Sequence, residues 1–366
     1  MKVPFADLTR IPAAQQQAME GAALRVLRHK RFILGDEVLA FERALARRLG
    51  VAHVVATSNG SDALLMALQA AGVGPGSTVV TSPFSFFATV GAILRLGARP
   101  RFVDIEPRHF GMDLGATLRA AAPGDVVLPV HLFGHCQDLT PVKEKLPESP
   151  VVEDACQAID ARTRAGALAG GQGQSGVFSF FPTKNLGAAG DAGAIATHDA
   201  AMAARLARLR IHGQKARYEH EELGGNFRMD ALQAAILAAA LPFLDESTRS
   251  RRSAAEGYLE LIRERGLEGL VALPDIGPGH TAHQFVVRIP ERRDALREAF
   301  EQAGIGSAVY YPKPLHLQAA CRHLGHAAGD FPEAERASRE ALALPIAGVT
   351  PEEQAAVVAV MAEALS

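Results

Sequence analysis

Between Val51 and Thr197 the chain alternates short β-branched runs with helix-forming segments, and this alternation restricts the fold more than any other feature. The runs are Val51 to Thr57, Thr78 to Ser82, Arg101 to Asp104, Val126 to Val130, Val151 to Asp154, Gly176 to Phe180 and Ala192 to Thr197. Helix formers such as Ala63 to Ala71 and Ala88 to Leu96 fill the gaps. Parallel strands cannot be joined by a tight turn, so strands separated by helices imply crossover units. The expected fold class is α/β, with a mostly parallel mixed sheet flanked by helices. Ligands of such sheets lie outside the carboxyl ends of the strands. Ser58, Asp104 and Asp154 each end or follow one.

Helical spacing flanks this region. Residues 14–30 and 36–49 read as two helices, the second with Val38, Phe41, Leu45 and Leu49 on one face and Gly50 as its cap. An alanine-rich helix over 231–240 and a charged one over about 246–265 follow. Beyond them come the strand-like His283 to Ile289, a helix from Arg293 to Ala303, and the capping box Thr350-Pro-Glu-Glu353. A chain of 366 residues exceeds what one core usually organises. Two domains are expected: a large one over residues 1–245 that holds the sheet, and a smaller C-terminal α+β domain over 246–366.

Several function classes are poorly served. The formal net charge is −2, which offers no basic excess for nucleic acid or an anionic membrane surface. Cys136, Cys156 and Cys321 lie far apart with no C-x-x-C pair, so neither a zinc site nor a disulfide framework is expected. No apolar run reaches the roughly 18 residues of a membrane span. The first ten residues lack a leader-like apolar stretch, and a soluble cytoplasmic protein is the expectation.

The chemistry gathers around Phe178-Ser-Phe-Phe-Pro-Thr-Lys184, which runs into a loop with Gly187, Gly190 and Gly193. An ammonium among apolar walls is desolvated, its pKa falls, and the free amine can attack a carbonyl. Such a lysine can form a Schiff base with pyridoxal 5′-phosphate, although a lysine after a strand more often faces solvent. Ser58-Asn-Gly-Ser-Asp62 places a tight turn before a helix, where free N–H groups and the helix dipole suit a phosphate. Gly60 and Ser61 supply the backbone there. Asp154 ends a buried run and can pair with a protonated pyridine nitrogen, or simply cap a helix. Gln157 lies three residues on, Ser179 precedes the lysine, and Phe84, Phe86 and Phe87 offer a stacking aromatic.

Taken in order, these segments resemble the DegT-type nucleotide-sugar aminotransferases, whose architecture is fold type I. The resemblance runs from Phe32-Ile-Leu-Gly-Asp-Glu-Val38 through Glu153-Asp-Ala-Cys-Gln157 and the Lys184 segment to Gly225-Asn-Phe-Arg-Met-Asp230, Tyr310-Tyr-Pro-Lys-Pro-Leu315 and Leu344-Pro345. It implies a transaminase that moves an amino group from L-glutamate to a keto-sugar nucleotide, UDP- or dTDP-linked. Lys184 and Asp154 would be catalytic. Gly60, Ser61, Phe86, Gln157, Ser179 and Asn226 would join them in holding pyridoxal 5′-phosphate. Gln157 would face the ring hydroxyl, and Asn226 would reach across a homodimer. Arg228, Tyr310 and Tyr311 would touch the substrate from the partner chain. Related dehydratases carry histidine in place of the lysine, so Lys184 favours transamination. The loops around Arg28 and Lys215 lean towards 3-keto rather than 4-keto sugars. Two other readings compete: a sensor protein of the same fold without turnover, and a nicotinamide enzyme. The second lacks the glycines of its phosphate turn.

Overall fold

The computed structural model describes residues 2–366. Its large sheet uses β1 (His53–Thr57), β2 (Thr78–Thr81), β3 (Arg99–Phe102), β4 (Val126–Leu128), β5 (Val152–Asp154), β6 (Ser175–Ser179) and β7 (Gly193–Thr197). Parallel pairing joins β3, β2 and β4, and separately β5 and β6. Parallel bridges from Val127 to Val151 and from Val130 to Asp154 connect the two groups, so the strand order is β3-β2-β4-β5-β6-β7-β1. Only β7 runs antiparallel, against both β6 and β1. The chain returns from β6 to β7 through the Lys184 loop alone, and without a helix to cross over it must come back antiparallel.

Helices α1 (Ala13–His29) and α2 (Asp36–Leu49) precede the sheet, and α3 (Gly60–Ala70), α4 (Phe87–Arg95), α5 (Leu114–Ala120), α6 (Thr140–Lys145) and α7 (Ala200–Leu209) connect its strands or flank it. The stripe Val38, Phe41, Leu45 and Leu49 is buried, and Gly50 closes α2 in the left-handed region at φ 65°. A hairpin, β8 (Gln214–Ala216) and β9 (Glu219–His220), leads to α8 (Ala231–Ala240) and α9 (Leu244–Glu264). The C-terminal part pairs β10 (Phe285–Arg288) with β11 (Ala341–Leu344) and packs α10 (Arg293–Gln302), α11 (Pro332–Glu340) and α12 (Pro351–Leu365) around them. The Thr350 capping box forms as the sequence suggests. One segment crosses over: Val3 bridges Ile305 and lies in the C-terminal core with Tyr258, Phe285 and Phe300.

The β5 end is held by a residue whose part the sequence did not reveal. Glu153 is fully buried, and its carboxylate accepts from Nε2–H of His131 at 2.8 Å and from the N–H groups of Gly170, Gln172 and Gly173 at 2.8, 2.7 and 2.6 Å. Nδ1 of His131 accepts from the N–H of Gln137, which fixes the tautomer. Glu153→Ala would strand four buried donors. The expected loss is about 3–5 kcal/mol, measured by urea unfolding. An unchanged midpoint would mean that water replaces the carboxylate at little cost.

Candidate active site

The N-terminus of α3 is built as a cradle. Asn59 caps it by accepting the N–H of Asp62 at 2.8 Å, while the N–H groups of Gly60 and Ser61 have no acceptor among the described residues. Glycine is required at position 60, because a Cβ there would lie 2.8 Å from Cβ of Ser179 and 3.2 Å from Sγ of Cys156. That close approach brings the Ser179 hydroxyl beside the two free amides. Gly193 on β7 is equally constrained, since a Cβ would come within 2.5 Å of the Asn59 carbonyl.

After β6 the chain turns tightly, with the N–H of Lys184 on the Phe181 carbonyl at 2.8 Å and that of Ala188 on the Phe180 carbonyl at 2.8 Å. Burial pushes the Lys184 amine below its ordinary pKa; Cys156 and Asp154 oppose this, and the nearby Arg251 cation adds to it. Arg251 is itself buried and lowered to about 10, with its guanidinium donating to the carbonyls of His283 at 3.0 Å and Thr183 at 3.3 Å. His283 is driven well below the usual imidazole range, first by burial, and its Nδ1 lies 3.1 Å from Oδ1 of Asn185. Neither Arg251 nor His283 was singled out from sequence. The available signal was that Arg251 falls in register with Ala254, Ala255, Tyr258 and Ile262, the buried stripe of α9.

Asp154 is buried at the end of β5. Its Oδ2 accepts from the Thr89 hydroxyl at 2.9 Å and its Oδ1 from the N–H of Cys156 at 3.2 Å. Oγ of Ser85 lies 2.8 Å from that of Thr89, so Ser85 donates to Thr89 and Thr89 to the carboxylate. Gln157 is engaged at both ends: its Oε1 accepts the Phe133 N–H at 2.9 Å, and its Nε2 donates to the Tyr311 hydroxyl at 2.9 Å. Within one chain Tyr311 lies against Gln157, with the Phe84 ring 5.8 Å away. Burial raises its phenol above the ordinary value.

Of the three phenylalanines, Phe84 is fully buried and stacks on Phe110 with centroids 5.6 Å apart. Phe86, just before α4, is 58% exposed and remains available to a flat ligand. Asn226 is exposed and its side chain makes no hydrogen bond among the described residues. Arg228 is half-buried beside Thr57, one residue from the Phe227 carbonyl that accepts the Ser58 N–H at 2.9 Å. The structure thus gathers Gly60, Ser179, Asp154, Gln157, Lys184 and Tyr311 within one chain and leaves Asn226 on its surface.

Residues 14–362 match the model of the DegT/DnrJ/EryC1/StrS aminotransferase family. The chain belongs to this family. A UDP-N-acetyl-3-dehydro-alpha-D-glucosamine 3-aminotransferase of Acidithiobacillus ferrooxidans is 38% identical, covering 98% of this chain and 96% of its own. A pleiotropic regulatory protein of Geobacillus stearothermophilus is 43% identical over 97% and 96% of the two chains. The crystal structure of DesV from S. venezuelae superposes with a TM-score of 0.92 at 36% identity, covering 99% of this chain and 98% of that one. The fold type I architecture expected from the sequence holds for this DegT/DnrJ/EryC1/StrS family member. Among the described residues no helix is long and apolar enough to cross a membrane.

Proposed function

We propose that this chain transfers the amino group of L-glutamate to the keto carbon of a nucleotide-linked 3-keto sugar, giving the amino sugar nucleotide and 2-oxoglutarate, with pyridoxal 5′-phosphate as cofactor. One observation carries the reading: a desolvated lysine, Lys184, shares its surroundings with a strand-end carboxylate, Asp154, next to a helix N-terminus whose first two N–H groups, those of Gly60 and Ser61, have no acceptor among the described residues. The Acidithiobacillus enzyme, named for a 3-dehydro substrate, supports the 3-position.

The residues present fit the cofactor. The free amides of Gly60 and Ser61 and the Ser179 hydroxyl suit its phosphate, and the glycine that a Cβ would block keeps that cradle open. Asp154, oriented by Thr89, would hold the ring nitrogen in its protonated form. Gln157 and Tyr311 would flank the ring hydroxyl, and Phe86 would cover a face. Bound there, pyridoxal phosphate supplies an electron sink for the carbon that loses or gains a proton. Burial raises the share of neutral amine at Lys184, the form that attacks a carbonyl, and once free it can carry the proton at Nζ between carbon atoms. Buried Phe84 and half-buried Tyr311 would keep water from one side of the site.

The active unit in this reading is a homodimer. Leu24, Leu27, Phe32, Ile33 and Leu39 are all 43% exposed or more along α1, α2 and the loop between them, an apolar face that a second copy would cover. Asn226 would then serve the partner's phosphate, and Arg228 and Tyr310 the nucleotide sugar. The unpaired Cys136, Cys156 and Cys321 suit the cytoplasm. The regulatory relative favours a second reading, binding without turnover. The visible absorption of the protein with pyridoxal phosphate, before and after L-glutamate, separates the two. Bleaching of the visible band with release of 2-oxoglutarate is expected for the enzyme. A band that persists would leave the sensor reading standing.

A further inference from the structure

At the carboxyl ends of β3, β4 and β5 a second cavity of about 540 Å³ opens, and none of its lining residues belongs to the site around Lys184. The turn after β3 brings Arg108 and His109, the loop after β4 His135, the loop after β5 Arg162 and Arg164, and the segment leading to β10 His280. The rings of His109 and His135 stack with centroids 4.3 Å apart and planes 4° from parallel, and His280 lies 6.2 Å from His135. Three imidazoles and three guanidiniums thus share one cavity.

Three carboxylates line it as well, and each is engaged through one of its two oxygens. Glu106 accepts the N–H groups of Arg108 and His109 at 3.0 and 2.9 Å. Asp138 accepts the N–H and hydroxyl of Thr140 at 3.0 and 2.7 Å. Asp275 pairs with Arg164 at 3.2 Å. The donors are far less engaged. Among the described residues the Arg108 guanidinium has no partner, and Arg162 reaches only the Gly166 carbonyl at 3.0 Å. The rings of His109 and His135 make no hydrogen bond. Nδ1 of His280 accepts the Ala282 N–H at 3.0 Å, so its Nε2 carries a proton to donate. Unused N–H groups therefore outnumber unused acceptors, and the missing group is an anion with several oxygens.

We propose that this cavity binds a phosphate-bearing small anion, held by Arg108 and Arg162 with His135 and His280 donating from its buried side. Chloride would use the charge but not the divergent donors, whereas a phosphate accepts along three or four directions. A divalent metal is disfavoured, because among the described residues no group of His, Cys, Asp and Glu side chains has the arrangement to ligate one.

Protonation follows from the same arrangement. Burial holds His135 and His280 at about 3, with the neighbouring His109, His131 and Arg164 adding repulsion at His135 and Arg252 at His280; Asp275 alone opposes it at His135. Both rings are neutral before binding. As neutral rings they contribute N–H donors, and the positive charge of the site comes from the arginines.

The test uses the full chain loaded with pyridoxal phosphate, which keeps the α3 cradle occupied. Inorganic phosphate and a simple phosphomonoester are titrated calorimetrically at about pH 6 and about pH 8. A single anion per chain, weakened about ten-fold by Arg108→Gln and by Arg162→Gln, supports the site. Both arginines are exposed, so the folded state is not at stake in these variants. Equal binding of the ester identifies a phosphorylated metabolite as the ligand class; binding of phosphate alone identifies the free ion. No binding at either pH, or binding that both variants leave unchanged, overturns the proposal.

Discussion

Lys184→Ala is expected to lower the turnover of transamination by about 10³- to 10⁴-fold while leaving the fold intact. In the proposed reaction the amine would do two jobs at one atom, holding a carbonyl and moving a proton, and no neighbour could replace it. Arg251 is buried but stays protonated and has no free lone pair, and His283 is committed to Asn185. Lys184→Arg keeps a cation but not a nucleophile, so it should fail as badly as alanine. Turnover restored by Lys184→Arg would show that the side chain acts through charge alone. The same substitution carries a stability signature. Burial lowers the Lys184 pKa in the folded chain, so the unfolded chain binds more protons. The resulting destabilisation is complete at pH values below the lowered value. It fades as pH rises towards the ordinary 10.5. Without cofactor, Lys184→Ala should therefore unfold at a higher urea concentration than the wild type near neutral pH, and the two should converge in alkali. A variant less stable than the wild type at neutral pH would mean that the aliphatic stem contributes more by packing than the amine costs by desolvation.

What could be seen from the sequence was whatever local chemistry decides. The order of strands and helices, the Gly50 and Thr350 caps, the strand-end position of Asp154 and the glycine-rich turn after Lys184 all follow from neighbours within a few residues. What could not be seen depends on contacts between distant parts of the chain. Gln157 meets Tyr311 across 154 positions, and Thr89 reaches Asp154 across 65. Gly60 touches Ser179 only because β7 and β6 bring the strand ends side by side. The placement of Val3 in the C-terminal core is of the same kind, since nothing in Lys2-Val-Pro indicates which strand it will bridge. Glu153 stood in view beside Asp154, but a carboxylate in a buried run has no sequence mark that tells a structural acceptor from a catalytic one. Their partners differ: backbone amides and a tautomer-fixed imidazole on Glu153, a hydroxyl relay on Asp154.

That contrast makes Asp154→Asn the more informative of the carboxylate substitutions. Asparagine keeps the size of the side chain and can still accept from Thr89 through its amide oxygen, so no cavity opens in β5, although the Cys156 N–H loses its acceptor. What is lost is the negative charge beside the position proposed for the ring nitrogen. If that charge holds the ring cationic, turnover should fall by about 10²- to 10³-fold at saturating cofactor, the range seen when one preorganised electrostatic group is removed from a reaction centre. Cofactor binding should weaken much less, because the α3 amides, Ser179 and Lys184 remain. Thr89→Val offers a graded control: it frees Oδ2 of Asp154 without removing the charge and should cost turnover only a few-fold, about the contribution of one hydrogen bond to a charged group. If Asp154→Asn recovers its full rate once pyridoxal phosphate saturates, the carboxylate serves binding alone, and the electron sink must be sustained by groups other than this one. If Thr89→Val proves as damaging as Asp154→Asn, the orientation of the carboxylate, set by the Ser85–Thr89 relay, is what the reaction depends on.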